Sequence, residues 1–187
     1  SFYYSRNNKS YLNLDLLNPV NFHPEMKEEK DNIWVSLSPI WDFSQFLSFI
    51  DKENNSLLKK LKMLVICSSS SIKTKKYAFS KFDKNLVQKL IDSENRIIKL
   101  CQESSIKLII FRPTMIFGKY SKFIDSNISK IKKILKFSPI IITPQETGKR
   151  QPIHARELAY FLFLIFKNKI KYDNNLIVLE IGGDEEL

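Results

Sequence analysis

The stretch Met63-Leu-Val-Ile-Cys67 is an apolar run that ends in four consecutive serines, Ser68 to Ser71. A second apolar run, Leu108-Ile-Ile-Phe111, leads into Arg112-Pro113-Thr-Met-Ile-Phe-Gly118, and one stretch of helical period lies between the two runs. A strand, a helix and a strand in this order predict a parallel βαβ unit. The serines and the Arg-Pro turn then lie at the carboxyl ends of parallel strands, where open α/β sheets bind ligands.

The rest of the sequence continues this alternation of strands and helices. Apolar residues at helical spacing predict a long helix from about Asp83 to Glu103. The other predicted helices are Trp41 to Ile50, Ile124 to Lys136 and Glu157 to Lys167, and the predicted strands are Phe2 to Arg6, Tyr11 to Leu16, Asp31 to Pro39, Lys62 to Cys67, Lys107 to Phe111 and Leu176 to Ile181, with a short extended piece at Pro139 to Thr143. This order predicts an α/β fold with a largely parallel sheet that helices cover on both faces.

Length and composition are typical of one globular domain. The chain has 187 residues, enough to bury a core. Its longest uninterrupted apolar stretch, Leu158 to Phe166, is far shorter than the ~20 residues that span a bilayer, and its first residues lack the layout of a signal peptide. The two cysteines, Cys67 and Cys101, have no metal-binding spacing, so we expect reduced thiols, no metal site and a cytoplasmic protein.

The net charge of +10 has two interpretations. A basic chain can bind nucleic acid through phosphate contacts. The lysines, however, are spread along the whole chain, and the local clusters at 59–62 and 130–133 are not interleaved with aromatic side chains that stack on bases. We therefore expect solvated helix faces and no nucleic-acid partner, with a nucleic-acid-binding module as the weakest alternative.

The order of these motifs resembles the extended short-chain dehydrogenase/reductase superfamily, of the NAD-dependent epimerase/dehydratase type. Ser68 to Ser71 resembles the active-site strand end of that family, and Arg112 to Gly118 resembles its Arg-Pro-x-x-x-Tyr-Gly turn. The segment Arg150-Gln-Pro-Ile-His154-Ala-Arg-Glu157 resembles the family's late segment, and Val178 to Gly183 resembles the strand and glycine that follow. The resemblance, from Tyr3 to Gly183, implies a doubly wound Rossmann-like sheet in one domain, residues 1–187, in which residues 119–187 contribute the small substrate-binding part.

The resemblance also implies NADP or NAD as the cofactor. Arg6 falls where a basic residue favours the 2′-phosphate of NADP, although a solvent-facing loop arginine is an equal alternative. Asp15 and Leu16 resemble the pair that lies beside the adenine. The cofactor-binding residues implied in this way are Arg6, Asp15, Leu16, Leu37, Ser38, Pro39 and Pro113.

The family's catalytic pair is Tyr-x-x-x-Lys on the long helix, where the lysine lowers the tyrosine pKa for proton exchange. Tyr77-Ala-Phe-Ser-Lys81 has this spacing and supplies the candidate pair Tyr77 and Lys81. Glu94 resembles the family's helix glutamate, however, and counting back from it by four and eight reaches Leu90 and Leu86 instead of lysine and tyrosine. The alternative is therefore a chance match in a flexible, lysine-rich loop from Lys73 to Lys84.

Ser69 is the candidate for the family's substrate-facing hydroxyl, and the neighbouring serines are its alternatives. Arg150 is the candidate contact for a substrate diphosphate, with a surface ion pair as the alternative. We expect a structural role for His154, because no nucleophile is paired with it in the sequence. The partners implied are a sugar-nucleotide substrate and a second copy of the chain, and we expect no membrane partner.

One element of the family is missing from the sequence. The chain has only four glycines, all from Gly118 onward, so no glycine-rich phosphate loop precedes Arg6. The family's first strand, which ends in that loop, lies between the second and fourth strands of the sheet. Without it, the two strands near the start have no neighbour that joins them to the rest. We expect a chain that is truncated at both ends and binds dinucleotide poorly.

The resemblance implies an NAD(P)-dependent sugar-nucleotide epimerase, dehydratase or reductase-like protein. The alternative is a non-catalytic NADP-binding regulator or assembly factor, which Leu86 and Leu90 favour.

Overall fold

The computed structural model describes residues 4–5, 12–19, 22, 32–120, 123–137, 151–167 and 174–184. Its strands are β1 (Tyr4–Ser5), β2 (Leu12–Asn13), β3 (Asn32–Ser36), β4 (Leu61–Cys67), β5 (Lys107–Pro113), β6 (Ile116–Phe117), β7 (Lys119–Tyr120), β8 (Phe123–Ile124), β9 (Ile153–His154) and β10 (Leu176–Ile181). Its helices are α1 (Ile40–Glu53), α2 (Asn55–Lys59), α3 (Ser71–Thr74), α4 (Lys81–Glu103), α5 (Ser126–Phe137) and α6 (Ala155–Phe166). The extended piece predicted at 139–143 lies outside the described residues.

The chain forms two compact units. The first comprises Ser1–Phe111 and Asn174–Leu179, and the second comprises Arg112–Asp173 and Glu180–Leu187. The second unit therefore begins before residue 119, where the sequence predicted the substrate-binding part. The assignment of substrate binding to this part of the chain stays a prediction.

A four-stranded sheet in the order β10-β5-β4-β3 forms the centre of the fold. Strands β3, β4 and β5 are parallel, and Val65 of β4 lies opposite Val35 on one side and Ile109 on the other. Central strands of a parallel sheet are covered on both faces, so they need continuous apolar runs. The side chains of Leu64, Val65 and Ile66 are accordingly buried. The predicted α/β fold with a parallel sheet is confirmed.

Strands β1 and β2 form a separate two-stranded parallel sheet. Among the described residues, neither of them pairs with the four-stranded sheet, and β3 pairs with β4 alone. This separation agrees with the expectation that the early strands lack a neighbour joining them to β3. A strand between β1 and β3 would supply backbone partners to both edges.

Helices α1 and α4 pack against each other and carry their apolar faces into the core of the first unit. Leu47 of α1 and Ile97 of α4 are each 1% exposed. The N-terminus of α4 is capped by Ser80, whose Oγ accepts a hydrogen bond from the amide of Asp83 at 3.5 Å. This cap explains why α4 begins at Lys81, two residues before the predicted start.

Several predicted boundaries are wrong for local reasons. The second strand is limited to Leu12–Asn13, because Asp15 forms a turn in which its Oδ1 accepts from the amide of Leu17 at 3.1 Å. The short helices α2 and α3 lie where the sequence shows no helical apolar period, since each is too short to need one. Helix α6 begins at Ala155 instead of Glu157, because His154 caps it.

In the second unit, three sequence motifs come together. The amide of Thr114 donates to the carbonyl of Ile181 at 2.9 Å, and its hydroxyl donates to the carbonyl of Gln151. Strand β6 pairs in parallel with β9, which directly precedes α6. The Arg-Pro turn, the segment before α6 and the end of β10 thus meet in one place.

Candidate functional site

A groove of about 310 Å³ lies at the carboxyl ends of β3 and β4, within the first unit. The strand ends line it with residues 37–39 and 67–69, and α4 lines it with Leu86 and Leu90. The first two residues of α1, Ile40 and Trp41, complete the lining. This is the edge of the sheet at which parallel α/β proteins bind ligands, and it brings together four predicted site residues: Leu37, Ser38, Pro39 and Ser69.

The end of β3 is polar and partly open to solvent. The hydroxyls of Ser36 and Ser38 lie 2.7 Å apart and share a hydrogen bond. Leu37 is 61% exposed, so its side chain is available for contact with a ligand. Pro39 directly precedes α1, and β3 already ends at Ser36, three residues before the predicted strand end.

The end of β4 is held by two further elements of the first unit. The amide of Ser68 donates to the carbonyl of Phe111 at 2.8 Å, and the Ser68 hydroxyl donates to Oε1 of Glu94. The Oγ of Ser69 accepts a hydrogen bond from the amide of Ser71 at 3.2 Å. Because Ser69 accepts in this contact, its own hydroxyl proton stays available for a ligand in the groove.

Glu94 is a buried carboxylate, with only 4% of its surface exposed. A charged residue is rarely buried unless it is paired or hydrogen-bonded. One feature of the sequence indicates this contact. Glu94 lies on the apolar face of α4, four residues after Leu90 and three before Ile97, so it needed a polar partner in the core.

The α4 side of the groove is apolar. Leu86 is partly buried and Leu90 is 3% exposed, and both line the groove. Neither side chain can donate or accept a proton. Counting back from Glu94, the family resemblance implies tyrosine at position 86 and lysine at position 90. Because leucine occupies both positions, this wall supplies no acid or base. It can exclude water and pack against a ring.

The thiol of Cys67 also lines the groove, and burial raises its pKa to about 12. Burial raises the pKa of Cys101 to about 12 as well. A thiol with so high a pKa stays protonated at neutral pH and is a poor nucleophile. Nucleophilic catalysis by Cys67 is therefore disfavoured.

Tyr77 and Lys81 do not line this groove. Tyr77 lies in the turn between α3 and α4 and is 83% exposed, whereas Lys81 is the first residue of α4. Helix α4 therefore does not place the two side chains on one face, because only Lys81 belongs to it. Their catalytic role stays a prediction.

The remaining predicted residues lie elsewhere. Asp15 and Leu16 lie in the turn after β2 and are absent from the groove lining, and Leu16 packs against the core. Pro113 is buried at the end of β5 and belongs to the second unit. Arg6 and Arg150 lie outside the described residues. Their proposed roles stay predictions.

The second unit fixes the roles of two residues from the motifs. The backbone of Gly118 has φ +142°, and a Cβ there would lie 3.0 Å from Nε2 of His154, so the position favours glycine on both counts. Nδ1 of His154 accepts from the amide of Arg156 at 3.1 Å, while the His154 amide donates to Oε2 of Glu157 at 3.1 Å. His154 thus caps α6, which is the structural role expected for it.

The Arg-Pro turn is also tied by charge. Arg112 forms an ion pair with Glu180 of β10, with 3.0 Å between Nη1 and Oε1. A Cβ on Gly183 would collide with the carbonyl oxygen of Pro152. The glycine therefore allows the end of β10 to pass close to the segment before α6.

Two further features bear on function. Within the described residues, no three His, Cys, Asp or Glu side chains are grouped in a way that could hold a metal ion. A helix both long and apolar enough to cross a bilayer is also absent from the described part of the chain.

No protein-family model and no curated protein matches the chain. Solved structures do. The chain superimposes on UDP-glucuronic acid 4-epimerase from Bacillus cereus with a TM-score of 0.55 at 18% identity, covering 78% of this chain and 47% of the epimerase. Vestitone reductase from alfalfa gives 0.58 at 11% identity, covering 95% and 61%. UDP-N-acetylglucosamine 4-epimerase from Bacillus cereus gives 0.56 at 14%, covering 98% and 68%.

The chain shares the fold of these UDP-sugar epimerases and of vestitone reductase. These similarities establish the fold, and the resemblance seen in the motifs is confirmed at that level. The chain spans about half the length of the UDP-sugar epimerases that it matches first. The structure from Bacillus cereus matched first is a complex with NAD.

Proposed function

We propose that this chain is an NAD(P)-binding protein of the sugar-nucleotide epimerase, dehydratase or reductase class. The observation that carries the proposal is the groove at the carboxyl ends of β3 and β4, with Leu37, Ser38 and Pro39 on one strand end and Ser69 on the other. Solved proteins of the same fold support it, since their structures were determined with NAD, UDP-glucuronic acid or UDP-glucose.

The groove suits one end of a dinucleotide. Its volume of about 310 Å³ lies at the lower limit of ligand pockets, roughly 300–1,000 Å³. Leucines and Trp41 give it apolar walls for a ring, and the serines give it hydroxyls for a ribose or amide. The four glycines of the chain all lie at or after Gly118, so the chain itself offers no glycine-rich loop for the pyrophosphate.

When bound, the nicotinamide ring supplies hydride transfer to or from the substrate. Among the groove residues, Ser69 would donate its hydroxyl proton to the reacting oxygen, and Leu86 and Leu90 would keep water away from the ring. In the catalytic form of the proposal, Tyr77 would exchange the proton and Lys81 would assist it. Arg150 would hold the diphosphate of the sugar nucleotide.

A second candidate function is binding of NADP without turnover, as a regulator or assembly factor. The leucine wall of α4 favours it, because Leu86 and Leu90 occupy the side of the groove where proton exchange would take place. Leucines at these two positions can still pack against the nicotinamide ring, but they cannot exchange a proton. This candidate needs the same groove as the first.

Binding is tested by energy transfer from tryptophan to NADPH, since Trp41 lines the groove. We expect weak energy transfer for this chain, with a dissociation constant for NADPH on the order of 1 mM or weaker, because the chain offers no glycine-rich loop to bind the pyrophosphate. Ser38→Phe would fill part of the groove without adding a tryptophan and should abolish the signal. Ser56→Phe, on an exposed part of α2, is the matched control and should leave it unchanged. Equal binding by both variants would refute the groove as the site.

Turnover separates the two candidates. A panel of UDP-sugars is incubated with NAD or NADP and the protein in its longest natural form, and products are separated by chromatography. Product formation that Tyr77→Phe abolishes would reject the non-catalytic candidate. NADPH binding that depends on Ser38, with no product from any sugar nucleotide, would reject the enzyme.

A further inference from the structure

The segment Lys73–Lys84, called here the lysine-rich segment, joins α3 to α4 and presents three aromatic rings to solvent. Phe79 is 100% exposed, Tyr77 is 83% exposed and Phe82 is 75% exposed. Large apolar side chains are commonly exposed one at a time, whereas three exposed rings within six residues of the chain are typical of a segment that meets a ligand or partner. Neither the groove nor the proposed chemistry uses Phe79 or Phe82.

The backbone that carries these rings is held by hydrogen bonds and by one ion pair. The Nζ of Lys75 lies 2.6 Å from Oδ1 of Asp83 and ties the turn to the first turn of α4. The amide of Ala78 donates to the carbonyl of Lys75 at 3.0 Å, and Ser80 caps α4. Holding the rings in place before binding lowers the entropy that a partner must overcome.

Charge identifies the partner. The segment contains five lysines and one carboxylate, that of Asp83, which already pairs with Lys75. It contains no arginine, the residue that recognises individual phosphates through two parallel hydrogen bonds. Lysines act as point charges on long apolar stems, which suits a diffuse anionic surface.

We propose that the lysine-rich segment is a docking surface for an anionic lipid bilayer. Phe79 and Phe82 enter the headgroup region, where aromatic rings are favoured, and the exposed Lys76 and Lys84 face the lipid phosphates. Such surface binding needs no spanning helix, so it is compatible with the absence of one among the described residues. The proposal departs from the expectation of no membrane partner drawn from the sequence, and it does not depend on the proposed cofactor.

Two other partners fit less well. A single-stranded nucleic acid stacks its bases along a basic groove, whereas the most exposed ring here, Phe79, has its whole surface in solvent and does not line the groove at the strand ends. A second copy of the chain would bring two lysine-rich segments together if the contact were symmetric, and their like charges would repel.

The test is co-sedimentation of the purified chain with vesicles. We expect binding to phosphatidylcholine vesicles that contain about 30% phosphatidylserine and little binding to phosphatidylcholine alone. The binding should fall steeply between about 0.1 M and about 0.5 M salt, because screening weakens surface electrostatics. Equal binding to neutral and anionic vesicles, or none to either, would overturn the proposal.

Variants assign the binding to the segment. Phe79→Ala with Phe82→Ala leaves the charge unchanged, and we expect at least about tenfold weaker vesicle binding. Lys76→Gln with Lys84→Gln should weaken it roughly 30-fold. Lys52→Gln with Lys59→Gln removes the same charge from exposed sites outside the segment and should have a much smaller effect.

A third measurement does not depend on how strongly the variants bind. Phe79→Trp introduces a fluorophore at the most exposed ring, and brominated lipids should quench it more strongly than they quench the parent chain, whose tryptophans are Trp34 and Trp41. The chain could instead be retained on single-stranded DNA and fail to bind vesicles. If the same variants abolished that retention, the segment would be a nucleic-acid surface and the lipid assignment would be overturned. Vesicle binding that survives both double substitutions would also overturn it, and α5 with its exposed Ile134 and four lysines would then be the next segment to vary.

Discussion

The body of helix α4, from Leu86 onward, and the lysine-rich segment that leads into it differ in the burial of their apolar side chains. In α4, Leu90, Ile97 and Leu100 recur at helical spacing and are buried against α1 and the sheet. In the segment, Tyr77 and Phe79 follow no such period and are exposed. The difference shows that burial depends on spacing and on an available partner face, more than on how apolar a residue is.

The largest effect should follow from truncating the buried face of α4. Ile97 is 1% exposed, so Ile97→Ala removes buried methyl groups and leaves a cavity. We expect a loss of about 2–5 kcal/mol in the free energy of unfolding. Urea denaturation measures it. A loss below about 1 kcal/mol would mean that α4 is not the helix that closes this core.

The second effect concerns the polar contact on the same face. Ser68→Ala removes a hydrogen-bond donor from the buried carboxylate of Glu94 and should cost about 1.5–3 kcal/mol of unfolding free energy. Ser70→Ala is the matched control, because Ser70 precedes α3 and makes no side-chain capping bond. Equal costs for the two serines would contradict the Ser68–Glu94 contact.

The third effect depends on pH. Burial raises the pKa of Cys101 on α4 from 9.0 to about 12, so above pH 9 the unfolded chain loses this proton while the folded chain keeps it. Folding stability is therefore present below pH 9 and is lost as pH rises toward 12, by about 1.4 kcal/mol at pH 10 for one thiol. Denaturation of the parent and of Cys101→Ala at pH 8 and pH 10 isolates this contribution. Parallel pH dependences in the two proteins would exclude it.

The smallest effect should come from the exposed segment. Phe79→Ala removes a ring that has its whole surface in solvent, and the free energy of unfolding should change by less than about 0.5 kcal/mol. Thermal melting of the parent and the variant measures it. A cost comparable to that of Ile97→Ala would show that the ring is covered, and the contrast between the two regions would disappear.

The groove illustrates the limits of sequence reasoning in the same way. The strand ends were predicted, because apolar runs that stop at serine or proline locate them, and Leu37, Ser38, Pro39 and Ser69 do lie in one groove. The Tyr-x-x-x-Lys spacing of Tyr77 and Lys81 was an ambiguous signal. Spacing of four places two residues on one face only if both belong to the helix, and α4 begins at Lys81.

The sequence by itself determined the alternation of strands and helices, the parallel central sheet and the serine and Arg-Pro turns at the strand ends. These depend on local periodicity and on turn residues, which the chain carries in its order of residues. Only the tertiary structure decided that Glu94 holds Ser68, that leucines form the α4 wall of the groove, and that the rings of the lysine-rich segment face solvent. The first two depend on contacts between residues far apart in the chain, and the third depends on the lack of a covering element among the described residues. Periodicity within one segment contains no information on such contacts or on such a lack.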